Sequence, residues 1–201
     1  MKTPHRLALA ALLPLAAACS DQSVTETATA PAGPSAVVGV PPTCVTFGPN
    51  PPSGTVWGVP AGNAPGTVVH VENSIDVSVD RLALPGGVFV YDLARLEDAA
   101  LIGWGTLNSV HMRDISTTYH FMAAGGWVPM RVRFQYQDLG AVENLAVNGA
   151  LYVGNIAAAP AALGGATVVV GPGWVDISGA PINTVRIGGQ NFRVDNVCAT
   201  P

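Results

Sequence analysis

The chain is written largely in period two. In "VVHVENSIDVSVD" (68–80), Val69, Val71, Ile75, Val77 and Val79 alternate with His70, Glu72, Ser74, Asp76, Ser78 and Asp80. In "MRVRFQYQ" (130–137), Met130, Val132, Phe134 and Tyr136 alternate with Arg131, Arg133, Gln135 and Gln137. Successive side chains of an extended strand point to opposite faces, so each run reads as a half-buried β-strand. The first run is interrupted once, at Asn73-Ser74. Shorter runs at 87–93, 115–122, 144–149, 151–156, 166–171, 184–189 and 191–198 are further candidate strands. Turn residues separate nearly all of them: Pro85-Gly86-Gly87, Gly125-Gly126, Asn148-Gly149, Gly164-Gly165, Gly171-Pro172-Gly173 and Gly188-Gly189. One stretch, "DLARLEDAA" (92–100), reads as a helical turn. No internal repeat is present, which excludes solenoids and propellers. Many short strands with almost no helix predict an all-β, antiparallel β-sandwich.

The front of the chain is built differently. "MKTPHRLALAALLPLAAAC" sets Lys2, His5 and Arg6 before a short apolar stretch and then small residues, the three-part build of a secretory signal. "LAAAC" resembles the lipobox of bacterial lipoproteins, in which the cysteine is lipidated and becomes the first mature residue. Ala17, Ala18 and Cys19 match it; Leu15 stands one place earlier than the usual leucine. The alternative is cleavage after Ala16-Ala17-Ala18 that leaves Cys19 as a free thiol. Residues 20–42 are rich in Ala, Thr, Ser and Pro and hold too little apolar surface to offset the entropy of ordering. The boundaries read from this are a lipoprotein signal at 1–18, a flexible tether at 19–42 and a β-sandwich domain at 43–201. Ser20 after the cysteine resembles the Gram-negative sorting signal for the outer membrane. The expected location is therefore the bacterial cell envelope, with a lipid anchor as the membrane contact.

Charge and cysteine count add two constraints. Beyond Lys2 and Arg6, seven arginines face thirteen acidic residues, so the domain lacks the basic footprint of a nucleic-acid binder. Cys44 and Cys198 stand at the two ends of the predicted domain, and export permits them to form a disulfide.

"TCVTFGPNPPSGTVWGVPAGNAPGTVVHVENSIDVSV", "FQYQDLGAVENLAVNG" and "IGGQNFRVDNVC" together resemble a group of secreted bacterial β-sandwich domains closing in an I-G-G-Q-x-F-x-V-D-N-V strand. That last strand is also similar to the closing strand of galactose-binding-like, jelly-roll carbohydrate-binding modules. The resemblance implies a jelly-roll sandwich and a structural Ca²⁺ with Asp195 as its carboxylate ligand. Read from the residues alone, Asp195 and Asn196 are the polar end of a closing strand.

Several constellations suggest chemistry. Asp138 and Glu143 flank the turn "QDLGAVEN" and read as turn chemistry, with a glycoside-hydrolysing pair as the alternative. His70, Glu72, Asp76 and Asp80 read as a solvated strand face rather than metal ligands. No nucleophile motif surrounds Ser109, His111 or His120. Trp57, Trp104, Trp127 and Trp174 lie within short Gly-containing stretches; Trp104 and Trp127 are the candidates for stacking on sugar, and Arg131, Arg133, Gln135 and Gln137 for hydrogen bonding to it. The alternative is that such tryptophans plug the ends of the sandwich. The expected function is a non-enzymatic envelope module for glycans. The alternatives are a structural or protein-adhesion domain without a small ligand and, third, a carbohydrate-active enzyme.

Overall fold

A computed structural model describes residues 41–104, 108–121 and 127–201. The expected signal, Cys19 and the expected tether up to residue 40 lie outside the described residues. The strands are β1 (Thr43–Val45), β2 (Val56–Gly58), β3 (Thr67–Glu72), β4 (Ile75–Leu84), β5 (Val88–Val90), β6 (Leu93–Asp98), β7 (Asn108–Arg113) and β8 (Ile115–His120). They continue as β9 (Arg131–Asp138), β10 (Glu143–Val147), β11 (Ala150–Gly154), β12 (Ala162–Leu163), β13 (Ala166–Gly171), β14 (Trp174–Ser178), β15 (Thr184–Gly189) and β16 (Phe192–Thr200).

Two antiparallel sheets pack face to face. The first runs β12-β13-β14-β9-β16-β7-β6-β2, with β1 also on β16; the second runs β11-β10-β15-β8-β4-β3, with β5 on β4. Within them, β7-β16-β9-β14 and β8-β15-β10-β11 form the interleaved four-stranded pair of a jelly roll, because the chain switches sheet at β7–β8, β8–β9, β9–β10, β11–β12, β14–β15 and β15–β16. The inward residues of both sheets fill the space between them. Phe134, Phe192, Tyr119, Ile115, Leu145 and Ile187 are wholly buried there, each apolar side chain stabilising the fold by about 1.5–3 kcal/mol.

β16 organises the first sheet. One of its edges pairs with β9. The other pairs with β7 through Phe192, Arg193 and Val194, and with β1 through Val197, Cys198 and Ala199. Cys44 and Cys198 face each other across β1–β16 and form a disulfide, with Cα atoms 4.0 Å apart and 154 residues between them in sequence.

Three local expectations are corrected. Residues 93–98 form strand β6, not a helical turn: Ala94 and Leu96 are buried while Arg95 faces out, and cross-strand pairing to β7 overrides the helix-forming composition. Asp98 then caps a 3₁₀ turn, Ala99–Ile102, by accepting the Ala100 N–H at 2.9 Å.

The run at 68–80 is a hairpin, β3–β4, turning at Asn73 and Ser74, both with positive φ. A bulge after Val68 changes the parity within β3: Val69 packs against the core as expected, but His70 and Glu72 then point inward and Val71 is 59% exposed. Glu72 accepts the N–H groups of Thr46 and Phe47 and the Thr46 hydroxyl; His70 lies 5.4 Å from the Phe47 ring and 6.3 Å from that of the buried Trp57. Met130, expected on the apolar face of β9, precedes the strand and is 42% exposed.

Candidate functional site

β9 keeps the alternation read from its sequence: Val132, Phe134 and Tyr136 are buried, and Arg131, Arg133, Gln135 and Gln137 line the outer face. The structure gives these four residues different tasks. Arg131 is committed to Asp176 on β14, its Nε 3.0 Å from both carboxylate oxygens and its Nη2 also bound to Oδ2. Gln137 accepts from Arg193 Nη1 at 2.9 Å, and Arg193 also binds Glu97 Oε2 at 2.8 and 3.0 Å. His111 Nδ1 lies 2.9 Å from Glu97 Oε1. Burial alone would push the Glu97 carboxyl up; the bonds and charges of His111 and Arg193 outweigh it and hold the group below its usual range. The two ends of the polar row are therefore tied into the sheet.

The middle of the row opens a groove. A cavity of 380 Å³ is lined by Arg133, Gln135, Trp174, Asn196 and Trp104, with Pro172 and Gly173 among its other walls. Each aromatic is delivered by a local device. Gly103, in the left-handed region at φ 79°, ends the 3₁₀ turn and leads the chain into Trp104. Trp174 follows the Pro172-Gly173 turn and sits opposite Gly171 in the β13–β14 hairpin. A Cβ on Gly171 would stand 2.1 Å from the indole, so the ring lies against bare backbone. The guanidinium carbon of Arg133 stands 4.8 Å from the centroid of that ring.

Asn196 reaches the groove through a bulge. The β16 register with β9 breaks between Asp195 and Cys198, and Asn196 takes the left-handed conformation at φ 50°. Bulges re-aim a side chain in this way. Asn196 Nδ2 donates to Gln135 Oε1 at 2.7 Å. That bond orients the Gln135 amide and leaves its N–H₂ without a protein partner among the described residues. Arg133 likewise has no hydrogen bond or ion pair among them. The groove thus offers two partly exposed indoles, a guanidinium with its donors unspent, and an aligned amide pair.

Trp104, Arg133 and Gln135, three of the six residues named for glycan, line this groove. Arg131 lies beside it in its ion pair, and Gln137 is tied to Arg193. Trp127 packs against the hydrophobic core and is not among the groove's lining residues. Trp174 and Asn196 were not singled out as ligand residues. Asn196 has a sequence signal: the buried positions change parity from Phe192 and Val194 to Val197 and Ala199, which requires a bulge between them.

Asp195 is wholly buried and its Oδ1 accepts the Asn196 N–H at 2.6 Å. Among the described residues no group of three or more His, Cys, Asp or Glu side chains stands together. The six to eight oxygens of a Ca²⁺ shell would have to come chiefly from carbonyls here. Asp138 behaves as a turn residue: Oδ1 accepts the Gly140 N–H at 2.6 Å and Oδ2 the Asn155 amide at 3.1 Å. Glu143 is 1% exposed, with Oε2 accepting the Ile156 N–H at 3.0 Å. Comparisons with protein-family models, curated proteins and solved structures return no match.

Proposed function

We propose that this chain is a lipid-anchored protein of the bacterial cell envelope whose jelly-roll domain binds glycan without catalysing a reaction. One observation carries the reading: Arg133 stands beside Trp174 with no hydrogen bond or ion pair among the described residues, in a groove that also holds Trp104 and the Gln135–Asn196 pair. Sugar recognition needs a flat surface for C–H contacts and a few fixed donors and acceptors, and this groove supplies both. The carboxylate pair that the sequence offers for glycoside cleavage is Asp138 and Glu143, and Glu143 is sealed from solvent. The anchor would be acyl chains on Cys19, with export matching the Cys44–Cys198 disulfide.

A glycan array on the full chain, followed by titration calorimetry, tests the reading. Trp174→Ala and Arg133→Ala should each weaken binding by about tenfold or more. Array-wide silence, or binding indifferent to both changes, would remove the proposal. Membrane fractionation of Cys19→Ala tests the anchor: the variant should leave the membrane fraction, and no acyl mass on the wild type would refute it. A protein-adhesion reading draws support from Val68 and Val71, which face outward on the edge strand β3.

A further inference from the structure

The second sheet carries its own trough. Asp80 on β4, Thr118 and His120 on β8, and Thr184 and Arg186 on β15 lie on its outer face, while Val79, Tyr119, Val185 and Ile187 point into the core. The β4–β5 hairpin leans over that face. Asn144 on β10 accepts the Ala83 N–H at 2.7 Å and donates to the Ala83 carbonyl at 2.8 Å; the Ser116 hydroxyl donates to the Arg81 carbonyl at 3.4 Å. In the sheet, β15 and β8 separate β10 from β4, so the arm must cross both to reach Asn144. It forms a wall. Phe89 on β5, 55% exposed, lines the trough with Asp80 and Arg186. Adjoining cavities of 320 and 290 Å³ share Asp80 and Arg186 as lining residues.

The polar groups there are held but not spent. Asp80 Oδ2 accepts the Thr118 hydroxyl at 2.5 Å and the Ser78 hydroxyl at 3.4 Å, while Oδ1 has no protein partner among the described residues. His120 Nε2 stands 2.9 Å from Ser78 Oγ, which fixes the ring; Ser78 is 2% exposed and has no access to a substrate. Arg186 makes no hydrogen bond or ion pair among the described residues, and its Nε is buried without a partner. The Arg186 Nη groups are not sealed in this way and make no bond among the described residues, so they are the donors that a ligand oxygen in the trough can meet.

The signs of charge narrow the ligand. Asp80 and Arg186 face one space without forming an ion pair. A carboxylate placed on Arg186 would meet Asp80. An amine placed on Asp80 would meet Arg186, with Arg81 at the rim. A hydroxyl accepts from a guanidinium and donates to a carboxylate, so adjacent hydroxyls satisfy both groups together. Phe89 adds a flat surface for the C–H face of a ring. We infer that this trough is a second ligand site, for a neutral saccharide with adjacent hydroxyls, separate from the Trp174 groove and independent of that reading.

The test uses the full chain carrying Trp174→Ala, which weakens the groove, so that the added variants and the amide shifts report on the trough. Cellohexaose, xylohexaose, mannohexaose and maltohexaose are titrated by calorimetry, with hexagalacturonate as the acidic counterpart. At least one neutral oligomer should bind, and adding Asp80→Asn or Arg186→Met should weaken it by about tenfold or more. The Ala146 and Gly149 amides, which border the trough, should shift in nitrogen–proton correlation spectra of the Trp174→Ala chain, a readout that does not depend on the added variants folding. No saturable neutral binding at millimolar concentration, preferred binding of hexagalacturonate, indifference to both added changes, or unmoved Ala146 and Gly149 amides would each overturn the inference.

Discussion

Replacing Glu143 by Gln should remove a pH dependence from the stability of this fold. Glu143 Oε1 is buried with no hydrogen-bond partner among the described residues, while Oε2 takes the Ile156 N–H. Burial pushes the carboxyl up to about 7 from an ordinary 4.5; the Ile156 N–H opposes this, and nearby Asp138 adds to it by charge and by hydrogen bonding to the protonated form. The folded chain therefore keeps a proton here that the unfolded chain has already released. Stability from this group is fully present below about pH 4.5, declines as pH rises through the window up to about 7, and is flat above it. The interval corresponds to about 3 kcal/mol, of which about 2 kcal/mol falls between about pH 5 and 8. Glutamine keeps the volume, accepts from Ile156 and offers a permanent donor toward Asp138. Urea unfolding of both proteins at about pH 5 and 8 isolates the effect, because groups elsewhere cancel in the double difference. The wild type should lose about 2 kcal/mol more than the variant on going to the higher pH. Equal slopes, or a variant that is less stable at pH 8 by as much as at pH 5, would refute the reasoning.

The remaining predictions concern packing and cross-linking. Cys44→Ser with Cys198→Ser opens a loop of 154 residues and should lower stability by up to about 5 kcal/mol, read as a fall in the urea midpoint; a change under about 1 kcal/mol would contradict the closure argument. Gly171→Ala inserts a carbon 2.1 Å from the Trp174 indole and should cost about 1–3 kcal/mol by overpacking. It should also shift the tryptophan near-ultraviolet dichroism, and an unchanged spectrum and midpoint would show that the ring does not rest on that backbone.

The sandwich was legible because β9 and the first half of β4 keep the period-two pattern of their sequences. β9 followed Val132, Phe134 and Tyr136 inward, and Cys44 and Cys198 met as their places at the domain ends suggested. What misled was local irregularity. A bulge after Val68 turned His70 and Glu72 inward, and charge pattern alone cannot announce that an acid will be satisfied by the N–H groups of Thr46 and Phe47. "LARLED" is made of helix formers, yet its arginine and glutamate alternate with Ala94 and Leu96 as a strand requires. The groove was half visible. The polar face of β9 pointed to it, but Arg131 and Gln137 were spent on Asp176 and Arg193, partners contributed by distant segments. The choice between Trp127 and Trp174 depended on which indole found a core to pack against. A glycine neighbour, common to both, carried no information about that.

The place of β16 has a consequence for the order in which this protein can be made. The last strand of the sheet in sequence lies in its interior, between β9 on one side and β7 and β1 on the other. A growing chain that has not yet emitted Phe192–Thr200 holds two facing strand edges with unpaired N–H and C=O groups. Those edges are templates for another copy or for any extended segment nearby. That sheet therefore cannot close before Phe192–Thr200 is in place: β7 and β1 on one side and β9 on the other share no ladder except through these nine residues. A premature stop before Phe192 yields not a slightly shortened sandwich but a gap through the centre of one sheet, exposed on both rims.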